Sequence, residues 1–276
     1  MRLFLLTTLT MIAFAANSVL NRLALATGEM DVALFGVIRL ASGAATLAAL
    51  VLWQRRGFAL GGAGRLWGVV SLLAYIFGFS LAYDTLDPGF GALILFAVVQ
   101  ITMFAGALVS REAVPVMRWV GAALALGGLA WLLAPGGAQS MAALPILSMI
   151  AAGVGWGIYS LLGRGARDPL QATAMNFLVA APVALLIWLG VGANAVTPMG
   201  ILWAVISGAI TSGLGYAMWY RILPELGASR AAVAQLTVPI IALGGGMLFL
   251  GEALTMQFVL AAALVIAGVV LSLRKG

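Results

Sequence analysis

Phe14-Ala15-Ala16-Asn17-Ser18-Val19-Leu20-Asn21-Arg22, near the start of the chain, is answered in the second half by Trp156-Gly157-Ile158-Tyr159-Ser160-Leu161-Leu162-Gly163-Arg164. Both stretches open on an aromatic. Ser18 aligns with Ser160, Leu20 with Leu162 and Arg22 with Arg164. Two further matches follow in the same order: Glu112-Ala113 with Glu252-Ala253, and Gly128 with Gly268. Low complexity could produce any single match, but three in register indicate an internal repeat. The repeat divides the chain into residues 1–137 and 138–276, at the charge-free break Pro135 to Met141.

The solvent for this repeat follows from composition. Apolar residues make up 64% of the chain and charged residues only 8%, whereas a soluble surface needs roughly 25%. Apolar runs near twenty residues are long enough to cross a bilayer. Ten are readable: 3–25, 32–53, 65–84, 89–110, 115–134, 142–163, 170–191, 198–220, 228–250 and 255–273. Each half then has five spans. An odd number makes the second half enter the membrane from the opposite side, giving an inverted repeat, an arrangement suited to alternating access. The expected fold is an all-α integral membrane protein of ten transmembrane helices in two inverted five-helix repeats. Met1-Arg2, the apolar run after it and Ala13-Phe14-Ala15 have the look of a cleaved signal peptide. The repeat partner of this segment argues that it is retained as the first span.

Charge placement sets the expected orientation. With ten spans, twelve of the fourteen Lys and Arg residues fall on the side of the two termini, Arg22 falls opposite and Arg39 lies within a span. The basic side is expected to face the cytoplasm. The net charge of +6 is therefore read as a topology signal and not as nucleic-acid binding. The expected location is a bacterial inner (plasma) membrane, multi-pass, with both termini cytoplasmic and lipid as the surrounding partner. Nothing in the sequence specifies an oligomeric state.

The absence of Cys and His excludes thiol nucleophiles, disulfides, His bases and the common zinc sites. No Walker motif is present, and no Asp or Glu lies near the middle of a span. These features point away from an enzyme, a metal centre, a cofactor or ATP use, and towards passive or weakly coupled transport.

Leu236-Thr237-Val238-Pro239, then Gly244 to Gly246, then Phe249-Leu250-Gly251-Glu252-Ala253-Leu254 resembles the signature of the drug/metabolite transporter superfamily, EamA type. In that signature a Leu-x-x-Pro segment in the penultimate helix of a half is followed by Gly-Glu before the last. Arg39 fits a position often basic in the family. The first half departs from the pattern: Val99-Gln100 stands where Pro is expected, and Ser110-Arg111-Glu112 where Leu-Gly-Glu is expected. Segments such as Phe96-Ala97-Val98-Val99-Gln100 are most similar to the amino-acid exporter (YddG-like) branch. The resemblance implies ten helices in two inverted halves, a cavity lined by spans one, three, four, six, eight and nine, a peripheral second span, and export.

Polar and aromatic groups inside a bilayer need a cavity or a partner. On that ground the candidate substrate-binding residues are Phe14, Asn17, Tyr75, Phe79, Gln100, Met103, Trp156, Tyr159, Tyr216 and Gln235. Phe14 with Trp156, and Asn17 with Tyr159, occupy matching repeat positions and are expected to meet near the midplane. Helix–helix hydrogen bonding is the competing reading for Asn17. Arg39 could meet a substrate carboxylate, or serve as a structural fork to helix-end carbonyls or to Asp31, Asp84 or Asp87. Because the resemblance makes the second span peripheral, Arg39 is assigned a structural or gating role, together with Pro182, Pro239 and Glu252. Pro182 and Pro239 are expected to kink their spans. Tyr83, Trp219, Tyr220, Trp53, Trp67 and Trp188 read as interfacial anchors, and the Gly153 to Gly157 stretch as a close helix contact.

The expected function is export of small metabolites, amino acids (aromatic and other neutral ones) foremost, by alternating access without ATP. A multidrug or cationic-compound efflux protein is the alternative, and a non-transporting assembly protein or an intramembrane enzyme are more distant ones.

Overall fold

The structure is a computed structural model that describes residues 1–54, 57–58, 64–109, 116–132, 142–191, 196–235 and 237–272. Among these residues every regular element is helical: α1 (Arg2–Leu25), α2 (Val32–Trp53), α3 (Arg65–Tyr83), α4 (Pro88–Val109), α5 (Val116–Leu132), α6 (Ala143–Arg164), α7 (Pro169–Val191), α8 (Pro198–Val205), a π-helical segment (Ile206–Leu214), α9 (Gly215–Gln235), α10 (Val238–Leu250) and α11 (Met256–Ser272). Among the described residues seven helical runs are long and apolar enough to cross a membrane, with α8, the π segment and the start of α9 forming one of them. Parts of α5, α10 and α11 are apolar but shorter. The expected boundary between halves and Glu112 lie outside the described residues.

Local chemistry sets several helix ends. Asp31 caps α2 by accepting from the Leu34 amide at 2.8 Å. Thr197 caps α8 at 3.0 Å from the Gly200 amide, with Pro198 in the first turn, where a missing N–H costs nothing. The same logic corrects one expectation. Pro239 does not kink the middle of a span: it sits in the first turn of α10, so its ring starts a helix and breaks no hydrogen-bond ladder. Pro182 does lie inside α7. Pro224, expected in a loop, lies inside α9, which runs on to Gln235.

The helices pack in a definite set of neighbours. α5 lies along α11, α3 along α6, α2 along α7 and the π segment, α4 along α6 and α10, and α1 along α8, α9 and α10. Small residues allow the close approaches. A side chain on Gly153 or Gly157 would strike Val98 or Thr102 of α4, and one on Gly155 would strike the backbone of Ser71 and Tyr75 in α3. α6 thus takes one neighbour on each side of a single glycine-rich turn. Gly128 approaches the Ala261 carbonyl of α11, and Gly268 approaches the Gly121 carbonyl of α5, so the two repeat-related glycines serve one reciprocal contact. Outward-facing positions on α7, such as Leu185, Leu186 and Leu189, are exposed and apolar, as expected of a lipid-facing wall.

Candidate functional site

Aromatic rings from four helices meet in the interior. Phe14 (α1) stands edge-on to Trp156 (α6) at 6.0 Å between centroids and to Tyr216 (α9) at 5.8 Å. Trp156 lies 4.9 Å from both Tyr75 (α3) and Tyr216, and Tyr75 lies 5.3 Å from Phe79. Such pairs contribute about 0.5–1.5 kcal/mol each beyond area burial. These five rings, with Ser18, Leu95 and Phe96, enclose a space of only ≈ 10 Å³. That is about one water-sized probe, so the chamber is closed.

The two ends of the bundle differ. At the end where α3 begins, a cavity of ≈ 720 Å³ runs inward past Arg65, Arg167, Asp168, Gln171, Thr173 and Asn176 to Tyr159. Arg65 donates from Nη1 to Asn176 Oδ1 at 2.6 Å and to the Ala172 carbonyl at 2.8 Å, tying α3 to α7 on its wall. Tyr159 forms the floor and stacks on Trp156 at 5.7 Å and 24°. At the other end, α1 is laced to α3. Ser80 donates to Asn21 Oδ1 at 2.7 Å, the Tyr83 hydroxyl donates to the Pro88 carbonyl at 3.1 Å and accepts from Ser18 Oγ at 2.9 Å, and Arg22 donates to the Asp84 carbonyl at 2.6 Å. Arg22 also lies 3.9 Å from Asp87 Oδ1. Beside this cluster, past the end of α10, the Glu252 carboxylate folds back over Gly246. Its pKa is pushed up to about 8, first by burial and then by the charge of Asp87, with Arg22 opposing. Thr197 donates to the Glu29 carboxylate, and Met30 bridges Val196, joining α1 to α8.

Arg39 is fully buried but lines neither cavity; it stands behind the rings of Tyr75 and Phe79. Nε donates to Ser212 Oγ at 3.1 Å and Nη2 to Tyr75 Oη at 3.1 Å. The guanidinium carbon stands 5.3 Å from the centroids of both Tyr75 and Phe79, within cation–π range. Neither helix-end carbonyls nor Asp31, Asp84 or Asp87 are its partners. The π segment explains the placement. An i→i+5 turn inserts an extra residue and re-aims the side chains after it. Gly208 leaves room for the Arg39 carbonyl and the Ser42 hydroxyl, so α2 is drawn inward onto Ser212.

Other expected site residues are distributed unevenly. Phe14 and Trp156 meet as anticipated. Asn17 faces the π segment instead: its Oδ1 accepts from Ser207 at 2.7 Å and from Thr211. Those bonds satisfy its side-chain oxygen between helices. Gln100, Met103 and Gln235 line neither cavity, and Leu95 and Phe96 supply the α4 wall instead. Tyr83, Trp219 and Tyr220 are not interfacial anchors. Tyr83 is buried in the α1–α3 lacing, Trp219 packs on Phe14 at 5.7 Å and Tyr220 lines the open cavity. Trp53 and Trp67 are exposed, at 80% and 63%, as interfacial anchors would be. Ser207 and Phe177, which stands edge-on to Tyr216 at 5.8 Å, were not anticipated. Ser207 sits one helical turn before Thr211, a spacing that could have exposed it; Phe177, in an apolar run, carried no such signal.

A helical membrane protein with a ring-walled central chamber and a one-sided vestibule has the build of a transporter. The EamA-like transporter family model matches residues 143–274. An uncharacterized protein of Pseudomonas aeruginosa is 43% identical over 273 residues, spanning 99% of this chain and 94% of that one. An uncharacterized transporter of Archaeoglobus fulgidus is 25% identical over 217 residues, 75% of this chain and 76% of its own length. A solved crystal structure superposes with a TM-score of 0.71 over 96% of this chain and 98% of that one. At 21% identity that likeness concerns the fold alone. Residues 143–274 thus match the EamA-like transporter family, and the chain is built as a multi-pass membrane transporter.

Proposed function

We propose that this transporter exports small neutral or zwitterionic metabolites, amino acids with aromatic and other apolar side chains foremost, across a bacterial inner membrane by alternating access. The observation that carries the reading is the chamber itself, closed by Phe14, Tyr75 and Phe79 from one half and Trp156 and Tyr216 from the other. Ring faces suit a flat apolar side chain, and a few hydroxyls give loose polar selectivity. The neighbour pattern supports two inverted five-helix halves. Exchanging α1 with α6, α2 with α7, α3 with α8–α9, α4 with α10 and α5 with α11 maps the pairs α3–α6 and α4–α6 onto α1–α9 and α1–α10. It returns α2–α7, α4–α10 and α5–α11 to themselves. The vestibule end carries Arg65 and Arg167 and is assigned to the cytoplasm. The described state is then open inward, and rocking of the halves exchanges the open and laced ends.

A cationic-drug exporter is disfavoured by Arg39. A cation about 5 Å from the guanidinium would be repelled by about 3 kcal/mol at an effective dielectric near 20. The test is counterflow in proteoliposomes with a panel of labelled amino acids, with and without a pH gradient. Phenylalanine, tryptophan and leucine should exchange, and Trp156→Ala should lower their flux about tenfold, the equivalent of one lost ring contact. Exchange of lipophilic cations without amino-acid exchange would reverse the reading.

A further inference from the structure

Arg39 does more in this fold than the two bonds it makes. Its side chain cannot shed its charge, and it lies fully buried among rings and hydroxyls. Nε and Nη2 have partners, whereas Nη1 is buried without one. Among the described residues no carboxylate pairs with it. The Tyr216 hydroxyl is buried within electrostatic reach of Arg39, with the Tyr75 hydroxyl as the neighbour it can bond. One unsatisfied guanidinium donor and one unbalanced positive charge thus sit at the edge of the aromatic chamber, with a phenol beside them that can turn to a better acceptor. Burial of such groups is costly, and a single ligand group would relieve the donor and the charge together: a carboxylate.

We propose that Arg39, with the Tyr216 hydroxyl as second donor, is the receptor for the carboxylate of the transported solute, and that the substrates are monocarboxylates with a flat or apolar body. The inference deepens the transport reading above and rests on it. It also widens the substrate class. Among the described residues no acidic side chain lines the chamber: its walls are Phe14, Ser18, Tyr75, Phe79, Leu95, Phe96, Trp156 and Tyr216. An α-ammonium group finds there hydroxyls and ring faces but no counter-charge, so the carboxylate is required and the amino group is dispensable. A single guanidinium matches one carboxylate fork; a phosphate ester would want more cations. The entry route is a series of contacts. The vestibule ends at Tyr159, Tyr159 stacks on Trp156, Trp156 lies against Tyr75, and Tyr75 accepts from Arg39. Because the chamber is closed, entry displaces the Trp156–Tyr159 stack, and the ring of the solute takes over its contacts.

The full-length protein in nanodiscs tests this through equilibrium binding of three probes: phenylalanine, 3-phenylpropanoate, which lacks the amine, and phenylalaninamide, which lacks the carboxylate. The expected result is that the first two bind within a few-fold of each other and the amide about 10- to 100-fold more weakly, the range of a lost charge-assisted pair. Arg39→Lys should weaken 3-phenylpropanoate about tenfold and Arg39→Gln further, while phenylalaninamide, freed from repulsion by the guanidinium in Arg39→Gln, should lose no affinity in either. Equal binding of phenylalanine and phenylalaninamide by the unaltered protein overturns the carboxylate assignment while leaving aromatic transport standing, whatever the variants do. Failure of all three probes to bind overturns the aromatic-substrate reading with it.

Discussion

The two ends of the bundle are made of similar apolar helices, yet one is laced shut and the other holds a vestibule. At the Arg22 end, side chains of α1 reach α3 through three hydrogen-bonded steps, Ser18–Tyr83, Asn21–Ser80 and Arg22–Asp84. At the Arg65 end, the corresponding cation binds α7 instead and props the wall of a ≈ 720 Å³ cavity. The lesson is that polar groups placed near helix ends decide which end closes, while the apolar surfaces between them remain the same in kind. In a low-dielectric setting each satisfied bond counts, although measured interhelical bonds average only about 0.6 kcal/mol. Closure therefore rests on several weak ties, a construction that one conformational step can undo.

The comparison can be broken by experiment, and the native chain, which has no cysteine, is well suited to single-cysteine labelling. The largest effect is expected between Gln171→Cys, in the vestibule, and Ser18→Cys, buried behind the laced end. Polar maleimide should label the first about 100-fold faster, the factor produced by an opening cost of roughly 2–3 kcal/mol. Equal rates would remove the asymmetry between the ends. Next, Arg22→Gln removes the bond to the Asp84 carbonyl and the approach to Asp87. Labelling of a cysteine at Phe79, in the chamber, should rise about tenfold, since bonds to charged groups contribute about 1.5–3 kcal/mol. Tyr83→Phe removes two neutral bonds at constant shape, and a rise of about fivefold is expected from roughly 1 kcal/mol. An unchanged rate would mean that the Tyr83 ring, and not its hydroxyl, holds the end.

The smallest effect concerns pH. The Glu252 carboxyl, raised to about 8 from an ordinary 4.5, is protonated in the closed end at pH values where the water-exposed group would be ionised. Its contribution to closure is complete below about 4.5 and is lost as pH climbs through about 8. An environment-sensitive fluorophore at residue 79 should report a looser end at pH 9 than at pH 6. Glu252→Gln should abolish that difference. The half-exposed setting of this group limits the size of the change.

Much of the fold was legible because bilayer physics leaves few solutions. Runs of apolar residues near twenty gave the helices, and the matched Phe14 and Trp156 segments anticipated a contact that exists at 6.0 Å. Legibility ended where a position depended on another helix. Asn17 looked like a cavity residue because its type suits one; Ser207 and Thr211, remote in sequence, claim its side chain. Tyr83 and Trp219 looked like interfacial anchors because they stand near span ends, and partners on α1 bury them. Pro239 was assigned to the middle of a span because periodicity does not locate the break between α9 and α10.

By itself the sequence determined the solvent, the helical class and the rings available for a chamber, because these follow from how many polar groups a chain can leave in lipid and at what intervals. Only the tertiary structure decided that Arg39 is buried against two rings of the chamber, that Asn17 is spent between helices and that one end is laced. Each of those outcomes depends on which side chain comes within hydrogen-bond reach across a helix interface, a distance set by glycines and a π turn on other parts of the chain.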